Sequence, residues 1–162
     1  MLSLIPSIVA LGLAAFAALL LALRHPSPTE LSMERDTASR VLALATAIQC
    51  GHFAEEWATD FPARFPALFG LEPMPLSFFV VFNLTWIAFW IASVPLLRAA
   101  RKPAFFAAWF LAIAGMLNGV AHPVMAAVSG GYFPGLISSP FIGLAGIYLW
   151  RRLDGATSSH DS

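Results

Sequence analysis

His52, Glu55 and Glu56 stand together in "QCGHFAEEW", Gln49 to Trp57, at the end of an apolar run, "VLALATAIQCG". A carboxylate in hydrocarbon is costly, so it needs water, a partner, a metal or a functional role. On a helix, residues three and four apart share a face. At about 100° per residue, Glu55 and Glu56 flank His52 at about −60° and +40°, so all three side chains point one way. "NGVAH" supplies a second pair, Asn118 and His122, at the same i, i+4 spacing. Two imidazoles and one carboxylate suit a catalytic zinc with an open position. The same set suits a non-haem Fe(II) facial triad. The expected metal ligands are therefore His52, Glu55, Glu56 and His122, with the glutamate that does not bind acting as general base towards water. Di-iron bundles need more acids than the apolar segments hold, so a single divalent metal, zinc or iron, is expected. Asn118 and Tyr132 join Glu55 and Glu56 as catalytic candidates. Asn118 equally suits a hydrogen bond between helices, and Tyr132 an interfacial aromatic belt. Cys50, the only cysteine, precedes His52 by two positions and points elsewhere on a helix.

Membrane helices must position these residues. The chain has 162 residues, 59% of them hydrophobic and 11% charged. Soluble domains are about half apolar and a quarter charged, so this composition reads as integral membrane. The formal net charge of 0 gives no sign of a nucleic-acid partner. The first 23 residues carry no charge, which fits a retained span better than a cleaved signal. A span needs about 20 apolar residues. Five segments are expected to cross: 2–23, 37–57, 76–97, 103–128 and 132–150. The fold class is thus all-α, an integral membrane bundle of five transmembrane helices. Region 1–36 holds the first helix and its connection, 37–153 a four-helix membrane domain, and 154–162 a polar, frayed tail.

Basic residues orient the spans. Arg24, Arg35, Arg40, Arg98, Arg101, Lys102, Arg151 and Arg152 fall on one side, and Arg64 alone on the other. This puts the N-terminus out and the C-terminus in. His52, the two glutamates, Asn83, Asn118, His122 and the "GGYFPG" loop then share the outer half, with His122 about 10 Å outward of its span's midpoint at 1.5 Å per residue. "DFPARFPALF" is expected to lie flat at that interface or to act as a lid. Eight of the nine basic residues are arginine, which points to a GC-rich bacterial genome, hence a bacterial inner membrane with the site on its periplasmic side.

Three motifs in order resemble a known family. "HFAEE" at His52 to Glu56 is similar to the motif that names the HXXEE domain family of multi-pass membrane proteins. "NGVAH" is similar to its N-x-x-x-H motif, and "GGYFPGLIS" to its G-x-Y-x-P-G motif followed by a small hydroxyl residue, here Ser138. The likeness covers roughly 42–151. It implies a membrane enzyme, metal-dependent, and names no reaction.

The residues leave three functions open. One is a metal-dependent enzyme acting on a membrane lipid or amphiphilic small molecule. The second is metal-free acid–base catalysis, an isomerase or cyclase of a lipid, with a buried glutamate and a histidine as partners. The third is a non-enzymatic lipid- or ion-binding membrane protein. Metal content separates the first from the second.

Overall fold

Lipid cannot satisfy backbone amides, so apolar runs of span length close their hydrogen bonds internally as helices. The computed structural model describes residues 2–24 and 32–157. After a short 3-10 turn at Leu2–Leu4, six helices follow: α1 (Ile5–Arg24), α2 (Ser32–Ala58), α3 (Phe61–Ala67), α4 (Leu76–Arg98), α5 (Lys102–Ser129) and α6 (Ser139–Thr157). No strand occurs among the described residues. Residues 25–31 of the connection after the first helix, and the last five residues of the tail, lie outside them.

Three helices are long and apolar enough to cross a membrane: Leu2–Leu23, Leu76–Arg98 and Lys102–Ser129. This is fewer than the five expected. α2 is long enough, but its uncharged centre runs only over 41–54, between Arg40 and Glu55. α6 starts at Ser139 rather than 132, because the Gly130–Ser138 segment folds as a loop, and it ends in Arg151, Arg152 and Asp154. The expected tail is also corrected. α6 continues to Thr157, with Leu153, Ala156 and Thr157 buried, and the Thr157 hydroxyl donates to Leu153 O at 2.7 Å.

Antiparallel packing brings the site residues to one end of the bundle. Ser39 near the start of α2 donates to Val94 O near the end of α4 at 2.9 Å. Trp90 of α4 donates to Ala107 O of α5 at 2.9 Å. Trp109 of α5 meets Trp150 of α6 edge to face at 4.8 Å. The later halves of α2 and α5 therefore lie beside the beginnings of α4 and α6.

Small residues set the spacing, as in membrane bundles generally. Ala14, Ala18 and Ala22 of α1 are buried at four-residue intervals, while Leu13, Phe16 and Leu23 face outward; α1 packs against α5. Where α5 crosses α6, backbone meets backbone. A Cβ on Gly146 would lie 2.6 Å from Ala112 O and 2.9 Å from Met116 N. Gly146→Val is therefore expected to force the two helices apart and cost about 1–3 kcal/mol by overpacking. Thermal unfolding in detergent checks this against Gly12→Ala, where nothing lies within 4 Å of the new Cβ. Equal melting temperatures for the two variants would remove the close-approach argument.

Candidate metal centre

His52 and Glu56 are one turn apart on α2, and His122 projects from α5 towards them. All three are buried, at 0%, 6% and 1% exposure. Their ligand atoms lie within 4.8 Å of one another. Glu56 Oε1 is 3.6 Å from His52 Nε2 and 3.4 Å from His122 Nε2. A tetrahedral ion with bonds of about 2.0–2.1 Å separates its ligand atoms by about 3.3–3.4 Å. The observed spacing suits ligands around an ion.

The hydrogen-bond network fixes both tautomers. His122 Nδ1 lies 2.5 Å from Pro134 O. A carbonyl only accepts, so Nδ1 carries the proton. His52 Nδ1 lies 2.7 Å from Ser138 Oγ. The Ser138 hydroxyl donates to Glu55 Oε2, so its oxygen must accept from His52 Nδ1–H. In the neutral rings each Nε2 is then a lone pair, and both converge with Glu56. His52 Nε2 is buried without a hydrogen-bond partner. Metal-bound histidines are held this way, the second nitrogen bonded to a carbonyl or a carboxylate.

One loop supplies both outer partners. Between Pro134 and Ser138 sits Gly135, at φ +83°. A Cβ there would lie 2.5 Å from His122 Cε1 and 2.9 Å from His52 Cε1, so the bare backbone rests on both rings. The rings themselves meet edge to face, 4.7 Å between centroids. Aromatic rings close the rest. Phe61 of α3 is 5.7 Å from His122 and 5.9 Å from Phe79. Phe133 is 6.4 Å from His122. "DFPARFPALF" forms α3, which follows a left-handed Asp60 (φ 64°) and brings Phe61 beside His122.

Glu55 takes a different place from Glu56. It faces the loop, accepting from the Tyr132 hydroxyl at 2.7 Å, Ile137 N at 3.0 Å and Ser138 N at 2.7 Å, besides the Ser138 hydroxyl. Burial and the bond to Glu55 push the Tyr132 phenol above its ordinary pKa, which keeps it a donor. Arg64 donates to Tyr132 O at 2.8 Å and stacks over Phe133. Asn118 is half-buried one turn before His122 and is not among the three converging residues. Asn83 turns back on its own helix, donating to Phe79 O at 2.9 Å. Cys50 is half-buried and outside the group.

The sequence places the "GGYFPG" loop with the site residues, but the contact of Pro134 and Gly135 with two imidazoles depends on how the loop folds back. Ser138 stood out only as the hydroxyl residue after the motif.

No family model, curated protein or solved structure matches the chain.

Proposed function

We propose that this chain is a multi-pass membrane enzyme with a single divalent metal, zinc or iron, held by His52, Glu56 and His122, acting on a membrane lipid or amphiphilic substrate. The observation that carries this reading is the pair of Nε2 lone pairs beside a buried carboxylate, with each Nδ1–H engaged elsewhere. Two lone pairs and a carboxylate have nothing to share without a cation or an added proton. Three protein ligands leave a fourth position, where a bound ion acts as a Lewis acid on substrate or water. Phe61, Phe79 and Phe133 make the surroundings apolar, which favours a lipid substrate. The resemblance to the HXXEE domain family rests on its three motifs, all of which contribute residues to this region.

In the bilayer, we place five crossings. α2 and α6 complete their spans with charged ends at the interfaces, where long side chains reach water. The eight-to-one division of basic residues puts the N-terminus out, the C-terminus in and the site towards the periplasmic side of a bacterial inner membrane.

Purified without a histidine tag, the protein is expected to contain about one Zn or Fe ion per chain by elemental mass spectrometry. His52→Ala and His122→Ala should each lose it. Metal binding should weaken as pH falls, because the ligands bind only when deprotonated. A folded wild type that takes up no ion from Zn²⁺ or Fe²⁺ solutions would favour acid–base catalysis instead.

A further inference from the structure

The two adjacent glutamates divide the work. Glu55 receives two hydrogen bonds on each carboxylate oxygen: Tyr132 and Ile137 N on Oε1, Ser138 N and Ser138 Oγ on Oε2. That fills the roughly four lone-pair sites of a carboxylate. A ligand would have to surrender at least one of these bonds to reach an ion. Glu56, by contrast, faces the two imidazoles.

Ser138 links Glu55 to the centre. Its hydroxyl proton is committed to Glu55, so its oxygen can only accept from His52 Nδ1, 2.7 Å away. Carboxylate, hydroxyl and imidazole thus form a chain that ends at the buried Nε2. His122 has its counterpart in the Pro134 carbonyl on the same loop.

We propose that Glu55, acting through Ser138, is the outer carboxylate of His52: it holds Nδ1 protonated and Nε2 aimed at the ion, and does not itself bind the ion. Glu55 is a positioning residue. The inference rests on the metal reading above and deepens it, separating the ligand glutamate from the supporting one.

The test uses the full chain in detergent, stripped by chelator and titrated with Co²⁺, whose visible spectrum reports ligand number and geometry. Glu55→Gln and Ser138→Ala should each keep one ion per chain and the wild-type band pattern, with affinity about 10–100-fold weaker, the usual cost of losing an outer-shell partner. Ser138→Thr, which keeps the hydroxyl, should restore near-wild-type affinity. Arg64→Met loosens the same loop at Tyr132 without touching the chain to His52, and should leave affinity unchanged. Should Glu55→Gln fail to fold, Ser138→Ala and its threonine rescue decide alone.

Loss of the ion in Glu55→Gln, or a spectrum with fewer ligands, would make Glu55 a ligand and overturn the proposal. So would wild-type affinity in Ser138→Ala. Arg64→Met weakening binding as much as Ser138→Ala would reduce Glu55 to a loop anchor. A folded wild type that binds no ion overturns the metal reading itself, and this proposal with it.

Discussion

Gly135→Ala is expected to empty the metal centre and destabilise the protein by about 2–5 kcal/mol. The first contribution is backbone strain. Gly135 sits at φ +83°, and a left-handed conformation costs a residue with a Cβ about 1–2 kcal/mol. The second is overpacking, about 1–3 kcal/mol in a site that cannot give way. The new methyl would lie 2.5 Å from His122 Cε1, 2.6 Å from His122 Nδ1 and 2.9 Å from His52 Cε1. Neither ring can retreat freely: His122 is tied to Pro134 O at 2.5 Å and His52 to Ser138 Oγ at 2.7 Å. Moving the loop instead breaks those same bonds. Either way the Nε2 lone pairs cease to converge. Gly131→Ala is the matched control, since nothing lies within 4 Å of its Cβ. Metal analysis and thermal unfolding of both variants decide the matter. A Gly135→Ala protein with wild-type metal content and melting temperature would mean that the loop does not rest on the imidazoles.

What the sequence makes legible here is whatever follows from helical periodicity. His52 and Glu56 at i, i+4, and His122 on a second helix at similar depth, meet because α2 and α5, each antiparallel to α4, run the same way and bring their later halves to one end. Periodicity does not distinguish Glu55 from Glu56, which both lie within about 60° of His52. Their separation comes from the 131–138 segment, whose amides and hydroxyls capture Glu55 and leave Glu56 to the imidazoles. That capture is a contact between residues far apart in sequence, and no local pattern encodes it. The same segment explains the late start of α6, since Tyr132 to Ile137 continue the apolar character of the span while folding as a loop. Span count suffers from a related ambiguity. Charges at the ends of α2 and α6 suit interfacial anchoring and also shorten the apolar centre by which a crossing helix is judged.

Glu56→Gln should move stability and metal binding in opposite directions. The Glu56 side chain is 8% exposed and faces two Nε2 lone pairs, which have no proton to offer an ionised carboxylate. Burying a charge without a partner is costly. A glutamine has nearly the same shape, no charge, and an amide N–H that can donate to one of the imidazoles. In chelator at alkaline pH, where the carboxyl is ionised, the variant is therefore expected to be more stable than wild type by about 1–3 kcal/mol, the scale of one relieved buried polar group. With metal the order inverts. An ion that binds only the folded state stabilises it by about 2.7 kcal/mol at a hundred times its dissociation constant. Wild type gains that increment, and Glu56→Gln, lacking the anionic ligand, gains none. Melting curves in chelator and in excess Zn²⁺ should cross between the two proteins. The wild-type increment should also shrink as pH falls, since protons compete with the ion for both imidazoles and the carboxylate. If Glu56→Gln were instead less stable in chelator, Glu56 would already be protonated and donating to an imidazole, and its cluster would be the acid–base pair of a metal-free enzyme.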